Sequence, residues 1–356
     1  MKASLYGGWY CIPQRPHHLA SVLINAGWNV NVFTTYGIRS AKPNIRFTPN
    51  INKKLLLPNQ LSRLSFFKKL IPSINKNLER KVFKEFVESK ANLFIHYREP
   101  WQESTRISNQ ITNFIYDCVD NWGGFKEAHP KLQHWETSLC ERADQIWVVS
   151  RHLEEKLSRW ASKLWYVPNG VDYDHFSHVR QIRAKRKTNS KLQLIYIGAI
   201  FNWFDAYLVG EVAKRLKNWD LILIGPCSMP SDQSKFLNHP NIKFLGRREY
   251  YELPELLANA QVAIIPFIIN DLISGTSPIK FYEYLAAGLP VVATPIPEIV
   301  PYIEQGVVAC TDKPTEFANL VEELASSSNP DRCQKIAKQS AWEARFLPLL
   351  KPFEKK

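Results

Sequence analysis

At 356 residues the chain exceeds the size at which one hydrophobic core keeps growing, so the sequence predicts two compact α/β units. Its 45% hydrophobic, 12% aromatic and 22% charged residues exclude a disordered or fibrous protein. The formal net charge of +13 is unevenly placed: residues 51–90 hold ten Lys or Arg against three Glu, and residues 180–191 hold six basic residues and no acid. Two basic patches are expected rather than a uniformly basic surface.

Six cysteines (Cys11, Cys118, Cys140, Cys227, Cys310, Cys333) are scattered without a C-x-x-C pair and read as reduced core residues. The first twenty residues contain no apolar stretch resembling a secretory signal, and no later stretch reaches membrane-spanning length. A cytoplasmic protein is the expectation, with surface association needed to reach any membrane-borne substrate.

In chain order, the first half predicts strands at Ala3–Tyr6, Trp28–Thr34, Ile45–Thr48, Asn92–Tyr97, Asn113–Asp117, Gln145–Val149 and Leu164–Val167, each apolar or β-branched and bounded by turn residues or charges. Helical stretches between them give the alternation of a parallel sheet covered by helices. After Pro168-Asn169-Gly170 the chain is polar and basic through Lys191, which predicts a connector over 171–191. The alternation then restarts, with strands at Leu192–Ile197, Leu221–Ile224, Ile242–Leu245, Val262–Pro266, Pro290–Ala293 and Val307–Ala309 and helices at Trp203–Lys217 and Ile279–Ala287. The expected organisation is an N-terminal domain over 1–170, the connector, a C-terminal domain over 192–335 and a final helix over 336–356, either packed on its own domain or crossing back to the N-terminal one.

The densest chemical signal lies at 274–292, where a Gly/Ser/Thr/Pro loop opens a helix. Its free N–H groups and positive dipole end favour a phosphate, and Pro278 suits the first helical position. Ser277 and Pro278 stand at that opening. Lys280 in the first turn can meet a diphosphate, while Glu283, three residues on and on nearly the same face, can accept hydrogen bonds from a ribose diol. By composition alone, a capped amphipathic helix with a surface Lys–Glu pair fits equally well. The tail Ala286-Ala287-Gly288-Leu289-Pro290-Val291-Val292 adds a glycine cap and an immediate strand, fixing the helix against the sheet edge.

This segment resembles the group 1 glycosyltransferases of GT-B fold, whose C-terminal domains carry E-A-x-A-x-G-x-P-V-V. Here it reads Glu283-Tyr-Leu-Ala-Ala-Gly-Leu-Pro-Val-Val292. The resemblance extends to Val167-Pro-Asn-Gly-Val-Asp172 and Tyr196-Ile-Gly-Ala199, and more loosely to Gln14-Arg-Pro-His-His-Leu19 and Ala143-Asp144 before Val148. Trp203-Phe-Asp205, Phe244-Leu-Gly246, Leu253-Pro254 and Ser277-Pro-x-Lys280 look like enzymes of bacterial surface polysaccharide assembly, such as teichuronic acid glycosyltransferases. The resemblance implies two Rossmann-like, doubly wound domains facing each other across a cleft, the N-terminal one binding the acceptor and the C-terminal one the nucleotide sugar, with the final helix crossing back to the N-terminal domain. It also implies a nucleotide-sugar donor, UDP-linked by family frequency, and a saccharide or lipid-linked saccharide acceptor. Gly198, Arg247, Ser277, Pro278, Lys280 and Glu283 are the expected donor contacts, with Lys280 and Arg247 standing in for the Arg-plus-Lys pair that many members place after the residue corresponding to Gly198. Gly275 occupies the position of the first glutamate in most members, eight residues before Glu283.

A general base belongs at the carboxyl end of an N-terminal strand, where open α/β sheets place ligands. Asp117 and Asp120 fit, and resemblance to inverting GT-B enzymes selects Asp120; the other reading is that both carboxylates cap the following loop. Gly8 in the loop after the first strand, Arg15 and His17 are expected acceptor contacts, and His96, Arg98 and Glu99 are placed for the same role. The segment Lys53–Lys90 interleaves basic residues with Leu55–Leu57, Phe66–Phe67, Leu70–Ile71 and Val82–Phe83, which suits an anionic membrane face; the alternative is an insertion packed on its own domain. No base-reading motif accompanies it, so nucleic acid is not expected. No D-x-D motif suited to a bound Mn²⁺ or Mg²⁺ is present, and neither a metal nor a cofactor is expected. A nucleotide-sugar epimerase of the same fold and a non-catalytic subunit of a glycan-assembly complex are the competing readings. The absence of G-x-G-x-x-G after the first strand and of G-x-x-x-x-G-K-[ST] argues against dehydrogenase and kinase chemistry.

Overall fold

The computed structural model describes residues 1–7, 13–37, 49–56, 70–107, 111–126, 128–185, 191–327 and 329–354. The strand predicted at Ile45–Thr48 lies outside them. The chain divides into two compact units, Met1–Pro168 with Arg345–Lys356, and Asn169–Ala344.

In the first unit β1 (Lys2–Tyr6), β2 (Asn29–Gly37), β3 (Asn50–Leu56), β4 (Leu93–His96), β5 (Phe114–Cys118), β6 (Gln145–Val148) and β7 (Leu164–Tyr166) form one parallel sheet in the order β3-β2-β1-β4-β5-β6-β7. Its helices are α1 (Arg15–Asn25), α2 (Leu70–Val87), α3 (Leu132–Arg142) and α4 (Arg151–Lys156). The strand order reverses between β1 and β4, so the carboxyl ends of these two strands border the crevice where doubly wound sheets hold ligands. Val82, Phe83 and Phe86 of α2 lie inside, packed with Tyr6, Phe33, Phe94 and Phe114. Of the apolar residues expected at a membrane face, Val82 and Phe83 are thus taken into the core, and the side chains of Leu55–Leu57 lie outside the described residues. The side chains of Phe66–Phe67 and Leu70–Ile71 lie outside the described residues.

The second unit opens with α5 (Tyr173–Ser177) and α6 (Val179–Ala184). The sequence predicts a connector here, yet Val171, Phe176 and Val179 are fully buried in the second unit and anchor both short helices. The sheet follows: β8 (Leu192–Ile197), β9 (Trp219–Ile224), β10 (Ile242–Gly246), β11 (Val262–Ile265), β12 (Val291–Ala293) and β13 (Val308–Cys310), all parallel, in the order β10-β9-β8-β11-β12-β13. Between and after the strands lie α7 (Ala206–Arg215), α8 (Ser231–Ser234), α9 (Leu253–Leu257), α10 (Asp271–Ser274), α11 (Ile279–Ala286), α12 (Pro314–Ser327) and α13 (Pro330–Gln339); α14 (Trp342–Leu350) begins in this unit and passes at Arg345 into the first. The helix predicted from Trp203 starts three residues late because the Asp205 side chain caps it, accepting from Leu208 N–H at 2.8 Å.

The near-continuous apolar strands are explained by burial on both faces. Ile195, Ile197, Ile222, Ile224, Ala263 and Ile265 face one core layer, while Leu194, Tyr196, Leu221, Leu223, Val262 and Ile264 face the other. Side chains alternate between faces with period two, so a strand covered by helices on both sides is apolar throughout.

Candidate functional site

In the second unit the strand order reverses between β8 and β11, and Gly198 stands at the end of β8. Its N–H donates to Ile224 O at 2.8 Å, and an added Cβ would lie 2.6 Å from the Tyr196 hydroxyl. Neighbouring Gly225, at φ +142°, approaches still closer: a Cβ there would sit 1.9 Å from Gly198 O. Glycine is therefore required where the ends of β8 and β9 converge.

The segment after β11 leads through α10 into α11. Ser277 Oγ accepts the Asn169 N–H at 3.2 Å, and Asn169 Nδ2 donates to Ser277 O at 2.6 Å. Both residues are buried. Ser277, expected as a donor contact, thus also anchors the start of the helix. Pro278 is the N-cap, one residue ahead of the predicted position. The other end is fixed by Gly288 at φ +73°, with Leu289 N–H returning to Tyr284 O at 2.9 Å. Tyr284 ties the helix to the sheet, its hydroxyl accepting from Ile197 N–H at 2.8 Å.

On this fixed helix Lys280 Nζ meets Glu283 Oε2 at 2.6 Å. The carboxylate side chain is 3% exposed and the lysine 25%, so this is not the solvated surface pair of the alternative reading. Burying such a pair is expensive unless geometry holds it. Tyr250 and His175 complete the surroundings. Their rings stack at 4.3 Å, and His175 Nε2 lies 3.0 Å from Tyr250 O. Burial pushes the His175 imidazole below its ordinary range, and with Glu283 and Asp172 raises the Tyr250 phenol well above its own. Arg247 stands exposed beyond β10, at the edge of the sheet, with β9 and β8 between that strand and β11. Tyr250, three residues later in the same loop, reaches Glu283 electrostatically. Sequence reading misses Tyr250 and His175 because no spacing links residues 75 positions apart.

In the first unit Asp120 follows β5, half-buried; among the described residues its carboxylate makes no hydrogen bond or ion pair. Burial pushes it up to about 7 from the ordinary 3.8. A carboxylate half-ionised near neutrality and free of partners is equipped to accept a proton. Asp117, three residues earlier, is fully buried and clamped by Arg15: Nε lies 3.1 and 2.9 Å from its two oxygens and Nη2 2.8 Å from Oδ1. Arg15 also donates through Nη1 to Val167 O at 3.0 Å and covers the Phe346 ring at 5.0 Å. Its expected role as an acceptor contact is corrected, because a buried guanidinium with these partners has no reach toward a ligand. His17 is likewise internal; it is 1% exposed and its Nδ1 accepts the Gln14 N–H at 3.1 Å. His96 lies in the core, where burial pushes it down to about 3, and Arg98 is held by the Tyr6 hydroxyl at 3.2 Å and Glu79 at 2.9 Å. Glu99 alone of that trio is exposed. Gly8 lies outside the described residues. Among those described, no three His, Cys, Asp or Glu side chains are grouped to hold a metal ion, and no helix is long and apolar enough to cross a membrane.

Known proteins match this arrangement. The family model described as "Glycosyl transferases group 1" matches residues 191–327. A Bacillus subtilis (strain 168) protein with the provisional name teichuronic acid biosynthesis glycosyltransferase TuaH is 27% identical over 262 residues, 67% of this chain and 66% of that protein. The match thus spans just under two thirds of that relative. Anabaena HepE, solved with UDP-glucose, has a TM-score of 0.69 at 13% identity, covering 99% of this chain and 100% of that one. Sucrose-phosphate synthase from Thermosynechococcus elongatus gives 0.66 at 15% identity over 99% and 98% of the two chains. Motif, sheet topology and these likenesses converge: residues 191–327 match the group 1 glycosyltransferases, and the chain as a whole shares the fold of HepE and sucrose-phosphate synthase.

Proposed function

We propose that this protein transfers a sugar from a UDP-linked donor to a saccharide or lipid-linked saccharide acceptor in cell-surface polysaccharide synthesis. The observation that carries the reading is the pairing of Lys280 with the buried Glu283 at the opening of α11, inside the segment that matches the family. The Lys280 ammonium and the free amides of the helix start neutralise the departing diphosphate, and Glu283 accepts hydroxyls of the ribose. The second unit is assigned donor binding. The first is assigned proton removal: Asp120 takes the proton of the attacking acceptor hydroxyl as the new glycosidic bond forms and the bond to the diphosphate breaks.

The donor choice is supported by the UDP-glucose held in HepE, and the pathway by the name of the Bacillus relative. Metal independence belongs to the same reading, since Lys280 and the helix dipole supply the positive charge. Work at the inner membrane face would rest on exposed basic positions such as Lys81 and Lys84, because the apolar side of α2 is turned inward; salt-sensitive sedimentation with anionic vesicles tests it. To test the activity, purified protein is incubated with UDP-hexoses and a panel of saccharide acceptors, and UDP release and product mass are followed. Acceptor-dependent product is expected. A folded protein that transfers from no nucleotide sugar to any acceptor, or that releases an altered nucleotide sugar without one, refutes the reading.

A further inference from the structure

Behind Asp120 lies a polar network that the reaction itself does not use. Glu136 on α3 is 3% exposed. Its Oε1 accepts the Tyr116 hydroxyl at 3.1 Å, with the Cys118 thiol at 3.9 Å, and its Oε2 pairs with Lys156 Nζ of α4 at 3.0 Å. The same Nζ donates to Asn121 Oδ1 at 3.0 Å, and Asn121 Nδ2 lies 3.5 Å from His152 Nε2. Asn121 is 2% exposed and directly follows Asp120. The backbone is held as well: Trp122 N–H donates to Asp120 O at 3.0 Å, Gly124 N–H donates to Asn121 O at 2.8 Å, and the Cys118 thiol approaches Asp120 O at 3.6 Å.

The contacts that reach this loop end on the Asn121 side chain or on the backbone of Asp120 and Asn121; among the described residues none reaches the Asp120 carboxylate. A buried Glu–Lys pair adds little net stability compared with apolar side chains of the same shape, so its use here is to hold geometry. We infer that Lys156, oriented by Glu136, is a positioning residue for Asp120: by gripping the Asn121 side chain it fixes the loop that holds the neighbouring carboxylate half-buried and, among the described residues, clear of partners. This rests on the reading of Asp120 as the base, and it names two residues outside every motif of the family resemblance.

The test is a ¹³C-carboxyl NMR titration of protein labelled at aspartate, for wild type, Asp120→Asn, Asn121→Ala and the charge-neutral pair Glu136→Gln/Lys156→Met. The paired change is used because Lys156→Met alone would strand the buried Glu136 charge; thermal melting confirms that each variant is folded. Wild type is expected to show one resonance with a midpoint near 7, absent in Asp120→Asn. In Asn121→Ala and in the paired variant this midpoint is expected to fall by at least one pH unit as water reaches the loop, and UDP release from an accepted donor is expected to fall about tenfold or more. An unmoved midpoint in a folded paired variant overturns the positioning role and leaves Asp120 untouched. Failure of Asp120→Asn to remove a resonance near 7 overturns the base reading itself, and the positioning role with it.

Discussion

The raised Asp120 carboxyl implies that the protein sacrifices stability to keep this group near neutrality, and Asp120→Asn exposes the effect. A carboxyl whose folded value lies above its unfolded value favours the protonated fold, so its contribution is full below the unfolded value of 3.8 and is lost as pH rises toward about 7. A tenfold change in acidity corresponds to about 1.4 kcal/mol, and the rise from 3.8 to about 7 therefore sets an upper bound of about 4 kcal/mol at pH 8. Partial exposure of the side chain reduces this, leaving roughly 2–4 kcal/mol. Asparagine has nearly the same shape and no charge to desolvate. Urea unfolding of wild type and Asp120→Asn at pH 5 and pH 8 reads the difference directly: the variant should be more stable by most of that amount at pH 8 and by much less at pH 5. An equal gain at both values, or a loss at pH 8, would refute the claim that burial raises this group. In turnover the same group sets an acid limb near pH 7, because the ionised form is the base.

Arg15→Met leaves Asp117 charged and buried, so urea unfolding should show a loss of about 3–5 kcal/mol, with nucleotide binding to folded protein unchanged. Gly225→Ala forces a Cβ to 1.9 Å from Gly198 O; thermal unfolding should register a loss of about 1–3 kcal/mol. A chelator should leave turnover intact; activity lost with the chelator and restored by Mg²⁺ or Mn²⁺ would transfer the neutralising role from Lys280 to a metal. Attack assisted by Asp120 in a single displacement inverts the anomeric centre, which proton NMR of the product reads; a retained configuration would remove Asp120 from the base role without touching the donor site.

The second sheet was legible almost residue by residue because strands such as β8 are apolar on both faces and end abruptly at glycine. The edge strand β3 was not, since Asn50-Ile-Asn-Lys-Lys-Leu-Leu56 pairs with β2 alone and tolerates polar positions that read as loop. The helices α5 and α6 escaped notice because they are too short for periodicity, and a single fully buried residue holds each of them, Phe176 and Val179. Lys280 and Glu283 were legible because a helix puts i and i+3 on one side. The clamp of Arg15 on Asp117 spans 102 positions and the grip of Lys156 on Asn121 spans 35. No local pattern announces such pairs, and so residues placed by spacing at a ligand, Arg15 and His17, proved to be internal supports.

The central claim is that α11 carries a nucleotide site built on Lys280 and Glu283. Calorimetric titration of wild type, Lys280→Ala and Glu283→Ala with UDP and other nucleoside diphosphates tests it most directly. One nucleotide should bind wild type, and each substitution should weaken it by roughly 1.5–3 kcal/mol, the worth of a hydrogen bond to a charged group. Absence of binding by any nucleotide to folded wild type, or equal affinity in all three proteins, would contradict the account.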